Sequence, residues 1–156
     1  MRNLIVFIVV FFAYSSFAKE LVVTSHSTST IDKFNLPSGI TYSNFTNTGT
    51  WTDNFGNYGT FRCFGLVKTH KSGEIELDIV CENSDKKSFK NWIILKRSST
   101  QFETGVGVTE FIDGTGPWKE VIGTKCNYAV NYLGNVSFTI DKCKLSEKAY
   151  NALSKH

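Results

Sequence analysis

The chain carries four cysteines, Cys63, Cys81, Cys126 and Cys143, and each successive pair falls on a predicted β-hairpin whose turn sets the register unaided. In the first hairpin, Phe61, Cys63, Gly65 and Val67 share one face, as do Ile75, Leu77, Ile79 and Cys81, while Glu74, Glu76 and Asp78 take the other. Lys71-Ser72-Gly73 between them suits a three-residue loop with glycine in the left-handed position. Centred on Ser72, the loop sets Cys63 opposite Cys81, Gly65 opposite Ile79 and Val67 opposite Leu77, so that the apolar faces coincide. In the second hairpin, Gly134-Asn135 is a two-residue turn with glycine where type II′ needs it, pairing Leu133 with Val136 and Cys126 with Cys143. Counting outward from the turn makes the cysteines a non-hydrogen-bonded pair, with Cα atoms about 4.5 Å apart, within the span of a disulfide. Bridges Cys63–Cys81 and Cys126–Cys143 are therefore expected. A four-cysteine metal site is not, because the gaps of 18, 45 and 17 residues lack the short spacing of zinc ligands.

Such bridges need an oxidising compartment, and the N-terminus has the pattern that delivers a chain to one. Arg2 precedes an unbroken apolar run from Leu4 to Phe12, then Ala13, Tyr14 and the small-residue stretch Ser15-Ser16-Phe17-Ala18. This reads as a signal peptide over residues 1–18, cleaved after Ala18, and makes the protein secreted or periplasmic. The apolar run falls short of the roughly 20 residues that cross a bilayer, so no membrane attachment is expected after cleavage. The remaining 19–156 is the length of one domain. Arg2 is the only charged residue lost from a chain of net charge +3, which leaves +2. That balance is too mild, and its lysines too scattered, to imply nucleic acid as a partner.

Elsewhere alternation, aromatics and turn residues outweigh helix signals. Lys19 to Val23 reads as a strand, Ser25 to Ser38 as a long Ser/Thr-rich connector containing Pro37, and Ile40 to Thr52 as a strand before the turn Asn54-Phe55-Gly56-Asn57. Phe89 to Arg97 and Phe102 to Ile112 read as two more strands. Ser146 to Lys155 reads as a helix capped by Ser146, with Ala149, Tyr150 and Leu153 as its inward stripe. The pattern predicts an all-β fold: a small antiparallel barrel of about eight strands with a short C-terminal helix, a β-sandwich being the alternative.

Chemistry-bearing motifs are sparse. There is no H-E-x-x-H, no G-x-S-x-G and no phosphate-cradling glycine loop. His26, His70 and His156 stand beside no nucleophile or ligand and are expected to be exposed bystanders. No catalytic set stands out, no metal or cofactor is expected, and the row Glu74, Glu76, Asp78 is the wet side of its strand. The last hairpin is less ordinary. Ala129, Leu133, Val136, Phe138 and Ile140 form one apolar face, and Tyr128, Val130, Tyr132, Thr139 and Asp141 the other. If the second face lines a cavity, Tyr128, Tyr132 and Asp141, joined by Glu110 from the preceding strand, are the ligand-binding candidates. The sequence favours the plainer arrangement, an amphipathic outer surface or a contact in a homo-oligomer. Asn44 and Asn135 stand in N-x-[ST] context, which matters only where exported proteins are glycosylated.

The stretch Phe111-Ile-Asp-Gly-Thr-Gly-Pro-Trp-Lys-Glu-Val-Ile-Gly123, with Tyr128 beyond it, resembles the strand–turn–strand signature of the allene oxide cyclase and dirigent barrels. Gly114, Thr115 and Gly116 form the turn, Pro117 opens a single helical turn, Trp118 is placed to plug a barrel end, and Gly123 opens the next strand. The resemblance implies an eight-stranded barrel with a central cavity, in a family whose members cyclise or steer reactive small molecules and oligomerise. It carries over no catalytic residue, and Asp113 stands where those families place a further glycine. Thr48 to Gly56 is similar to the opening strand of avidin-type biotin binders, but that family's later tryptophans have no counterpart beyond Trp92 and Trp118. Trp51 is thus expected to be a core residue and not a biotin contact.

The expectation is an exported, non-enzymatic barrel that binds a small apolar or amphipathic molecule or a protein partner. A cyclase- or isomerase-like enzyme working inside the barrel and a purely structural domain with a filled core are the alternatives. Cavity volume, and the ionisable groups within it, decide among them.

Overall fold

The computed structural model describes residues 19–99 and 104–156; the signal-peptide expectation for 1–18 and the start of the strand expected from Phe102 lie outside the described residues. The strands are β1 (Glu20–Asn35), β2 (Thr41–Asp53), β3 (Tyr58–Thr69), β4 (Ile75–Asp85), β5 (Lys90–Lys96), β6 (Ser98–Ser99), β7 (Thr104–Gly114), β8 (Lys125–Leu133) and β9 (Val136–Lys144). Sequence neighbours pair antiparallel along the meander, and β1 pairs with β9 to close the ring. β6 continues the line of β5 past Arg97 and pairs with the start of β4, so the barrel has eight staves. Closure removes the sheet edges that would otherwise recruit other strands, and eight staves leave an interior wide enough for side chains or one small ligand.

Both cysteine hairpins have the expected register. Cys63 faces Cys81, Gly65 faces Ile79 and Val67 faces Leu77; Cys126 faces Cys143 and Leu133 faces Val136. The bridged Cα atoms are 4.0 Å and 4.2 Å apart. Each bridge closes a loop of 18 or 17 residues, which on chain-entropy grounds stabilises the fold by about 3 kcal/mol. The two disulfides suit an oxidising, extracellular-type environment. Among the described residues no helix is long and apolar enough to cross a membrane.

The expected connector from Ser25 to Ser38 is instead most of β1, which runs sixteen residues and pairs with β2 from Val23↔Asp53 to Asn35↔Thr41. Beyond Leu21 and Val23, which join the core, its next inward positions are Ser25, Ser27 and Ser29, two of them buried, so this stretch has no hydrophobic period to betray it. It is held by its partners, β2 on one side and β9 on the other, which is how context overrides weak local preference in sheets.

One end of the barrel is filled. Gly116–Val121 forms a short 3-10 helix across it, with Pro117 in its first turn. Gly116 sits at φ +55°, and a side chain on Gly114 would run into the Trp118 backbone at 2.5 Å, so the reversal admits neither residue with a Cβ. The turn drops Trp118 into a cluster with Leu21, Trp51, Phe111 and Val121, onto which the helix α1 (Glu147–Ser154) packs Ala149 and Leu153. Ser146 caps α1 by accepting from the Ala149 N–H, and Tyr150 is half-buried edge-on to Phe55.

Asp85 ties this floor together. Its Oδ2 accepts from Trp118 Nε1 at 2.8 Å and bonds His156 Nε2 at 2.7 Å, while Oδ1 accepts from the Lys87 and Phe89 N–H groups. Burial opposes ionisation of Asp85, but these hydrogen bonds outweigh it and hold the carboxyl below its ordinary range. His156 is therefore not the exposed bystander expected: its side chain is 4% exposed, because the Asp85 carboxylate gives it a buried partner. His26 is exposed, and His70 at its hairpin end pairs with Glu76.

Candidate ligand cavity

Inside the barrel lies a partly open cavity of about 110 Å³. Its floor is Trp51, Phe111, Trp118 and the Cys126–Cys143 bridge. One wall, from β2 to β5, is mostly apolar, with Phe45, Phe61, Leu77, Ile79, Ile93 and Leu95, and carries Asn47, Asn83 and Asn91 among them. The facing wall, from β7 to β9 and β1, carries Thr109, Tyr128, Tyr132, Ser137, Thr139, Asp141 and Ser25. An apolar body beside a few placed polar groups is what a small-molecule site requires.

The sequence favoured the outer surface for the Tyr128–Asp141 face, and the structure turns it inward. Tyr128 and Val130 are buried, and Tyr132 and Asp141 are half-buried against the cavity. The apolar face of the same hairpin points outward, with Leu133 75%, Ile140 47% and Phe138 44% exposed. The bridge explains the inversion: Cys126 and Cys143 share the side of Tyr128 and Asp141, and the bridge sits in the barrel floor.

Glu110 does not join the pocket. It alternates between Thr109 and Phe111, both inward, so it faces out and pairs with Lys96 at 3.4 Å. The exposed row Glu74, Glu76 and Asp78 also lies outside, as do Asn44 and Asn135.

The polar wall is organised around three groups. Asp141 accepts a hydrogen bond from Thr109 Oγ1 at 3.0 Å. Burial pushes its carboxyl from 3.8 to about 6, the Thr109 bond only partly offsetting the lost solvation. Tyr128 lies directly across from Asp141 on the inner face; burial pushes its phenol up, and a hydrogen bond with Arg97 pulls it back in part. Burial raises the Tyr132 phenol too, again opposed by Arg97. At the wall's edge the Ser27 and Ser137 hydroxyls bond one another.

Sequence reading missed Arg97 and the two glycines that seat this wall. Arg97 shares its side of the strand with Ile93 and Leu95, an alternation that marks it as inward. A side chain on Gly105 would meet the Arg97 guanidinium at 2.6 Å, and one on Gly107 the Tyr128 ring at 2.5 Å. The Gly-x-Gly step thus lets both long side chains lie flat across β7, and glycines inside a strand mark such close approach. Across the barrel, Asn47 Oδ1 is buried and has no hydrogen-bond partner among the described residues. A buried acceptor left in this way is an exception that calls for an explanation, and a donor from a ligand would supply one.

Among the described residues no group of three or more His, Cys, Asp or Glu is placed to hold a metal ion. Compared with known protein families, the chain matches no family model, and no curated protein matches it in sequence.

Proposed function

We propose that this is an exported β-barrel that binds a small amphipathic molecule in its interior, with residues 1–18 as the cleaved signal that sends it to the periplasm or out of the cell. The observation that carries the reading is the two-sided cavity, mostly apolar from Phe45 to Leu95 and richer in hydroxyl and carboxyl groups from Thr109 to Asp141. A domain with a purely structural core would gain by filling such a space, since each unfilled volume forfeits packing. Native mass spectrometry of the protein isolated from the extracytoplasmic fraction of its own host tests this. A copurified small molecule on a chain beginning at Lys19 is the expected result. Repeated recovery of the bare chain, or of one retaining the apolar leader, contradicts it. The same spectrum counts subunits, for which the outward Leu133, Phe138 and Ile140 offer a surface that copies of the chain would bury.

A second reading has its own support. A carboxyl brought near 6 beside buried phenols is the arrangement proton transfer uses, and the Gly114–Gly123 turn resembles that of barrels that cyclise small molecules. An isomerase or cyclase would turn its ligand over, so the copurified molecule, added back to fresh protein, distinguishes a binder from an enzyme.

A further inference from the structure

We infer that the cavity selects a ligand bearing a protonated amine on a compact apolar body, with the ammonium seated on Asp141. The inference rests on the ligand-binding reading above and specifies the chemistry that reading leaves open.

The starting point is a cavity carboxyl with no direct ion-pair partner, the one interior cation among the described residues, Arg97, lying against Tyr128. Asp141 lines the cavity and takes one hydrogen bond, from a neutral hydroxyl. Among the described residues no Lys, Arg or His forms an ion pair with it. The surrounding elements bring few charges to bear. Thr109 bonds it from β7, Tyr128 faces it from β8, and the neutral Val23 lies across from it on β1. Arg97, from the end of β5, is hydrogen-bonded to the Tyr128 phenol. A carboxylate withdrawn from water without a cation is costly, and the cost is met by a proton or by a counter-ion. An ammonium supplies the counter-ion and donors together.

The rest of the cavity fits that head group. Tyr128, directly across from Asp141, brings one aromatic ring to the position, and such ring faces attract a desolvated cation. On the far side of the cavity, Phe45, Ile79 and Leu95 offer an apolar wall to an apolar body. An anionic ligand would bring a second negative charge to Asp141, and a neutral alcohol would leave the carboxylate unbalanced.

Three matched probes separate this inference from its parent reading: benzylamine, benzyl alcohol and benzoate, titrated calorimetrically into the disulfide-bonded protein at pH 7.5 and at pH 5. At pH 7.5 benzylamine should bind at least about tenfold more tightly than benzyl alcohol, as one charge-assisted contact implies, and benzoate more weakly than either. Benzylamine stays protonated across this range, so its affinity should fall at pH 5 as Asp141 takes up a proton, while that of benzyl alcohol holds. Asp141→Asn, checked for folding by circular dichroism, should reduce benzylamine to the level of benzyl alcohol. If benzyl alcohol or benzoate binds as well as benzylamine, or benzylamine is indifferent to pH, the amine inference fails and ligand binding stands. If none of the three binds, both fail.

Discussion

Trp118→Ala lowers the melting temperature by more than about 10 °C, the shift expected when a substitution costs ~3–5 kcal/mol in a domain of this size. The indole is 1% exposed and meets Trp51 edge-on at 5.6 Å and Phe111 stacked at 6.3 Å. Its removal opens the junction between the cavity floor and α1. It also takes one hydrogen bond from Asp85, a carboxylate whose side chain is fully buried and whose ionisation depends on such bonds. Trp118→Phe separates the two contributions. It restores most of the packing and should retain a loss of about 1–3 kcal/mol, the range for depriving a buried polar group of its partner. Because Trp118 also lines the cavity, a competing explanation gives it to ligand binding alone. A Trp118→Ala protein melting within a degree or two of wild type would favour that explanation and rule out a structural role for the indole.

Asp141→Asn should act in the opposite direction and stabilise the protein, at one end of the pH scale only. The native carboxyl titrates near 6 and the unfolded one near its ordinary value, so between about pH 4 and 6 the native state holds the extra proton. Wild-type stability therefore drains away as pH rises through that window, by an amount on the order of 2–3 kcal/mol once both states are ionised. Asparagine keeps an acceptor for Thr109 Oγ1 and carries no charge to desolvate. The difference in melting temperature between variant and wild type should be near zero at pH 4 and reach its plateau above pH 7. The hydrogen-bonded or ion-paired carboxyls Asp85, Glu76, Glu82 and Glu147 are held low. They destabilise both proteins alike in acid and cancel from the comparison. A variant less stable than wild type at pH 7.5 would show that Asp141 is ionised and well partnered in the free protein.

What could be read from the sequence was what neighbouring residues decide. The 61–81 and 126–143 hairpins were legible because a three-residue and a two-residue turn dictate register locally, and the cysteines then fall opposite one another. β1 was legible only at its start, Lys19 to Val23; from Ser25 on its inward serines give no apolar period, and its partners lie in distant segments. The last hairpin shows a subtler failure. Its two faces were separated correctly, but the rule that the more apolar face turns inward chose the wrong one. Leu133, Phe138 and Ile140 face solvent because Cys126 and Cys143 put the other face in the barrel. Taking the bridge as the fixed point would have oriented Tyr128, Tyr132 and Asp141 at once. Strict alternation through Thr109 and Phe111 would have sent Glu110 outside, and through Ile93 and Leu95 it would have brought Arg97 in. His156 had no local signal; its partner Asp85 is 71 residues away.

The central claim is that a small molecule enters the barrel, and amide and indole chemical shifts during a titration with benzyl alcohol test it most directly. This neutral probe asks about the cavity without invoking Asp141. Saturable shifts at the Trp118 and Trp51 indole N–H groups and at the amides of Thr109, Val130 and Thr139 are the predicted result, since all five residues line the cavity. Shifts confined to the outward residues Val106, Leu133 and Phe138, or no saturable shift at all, would contradict it.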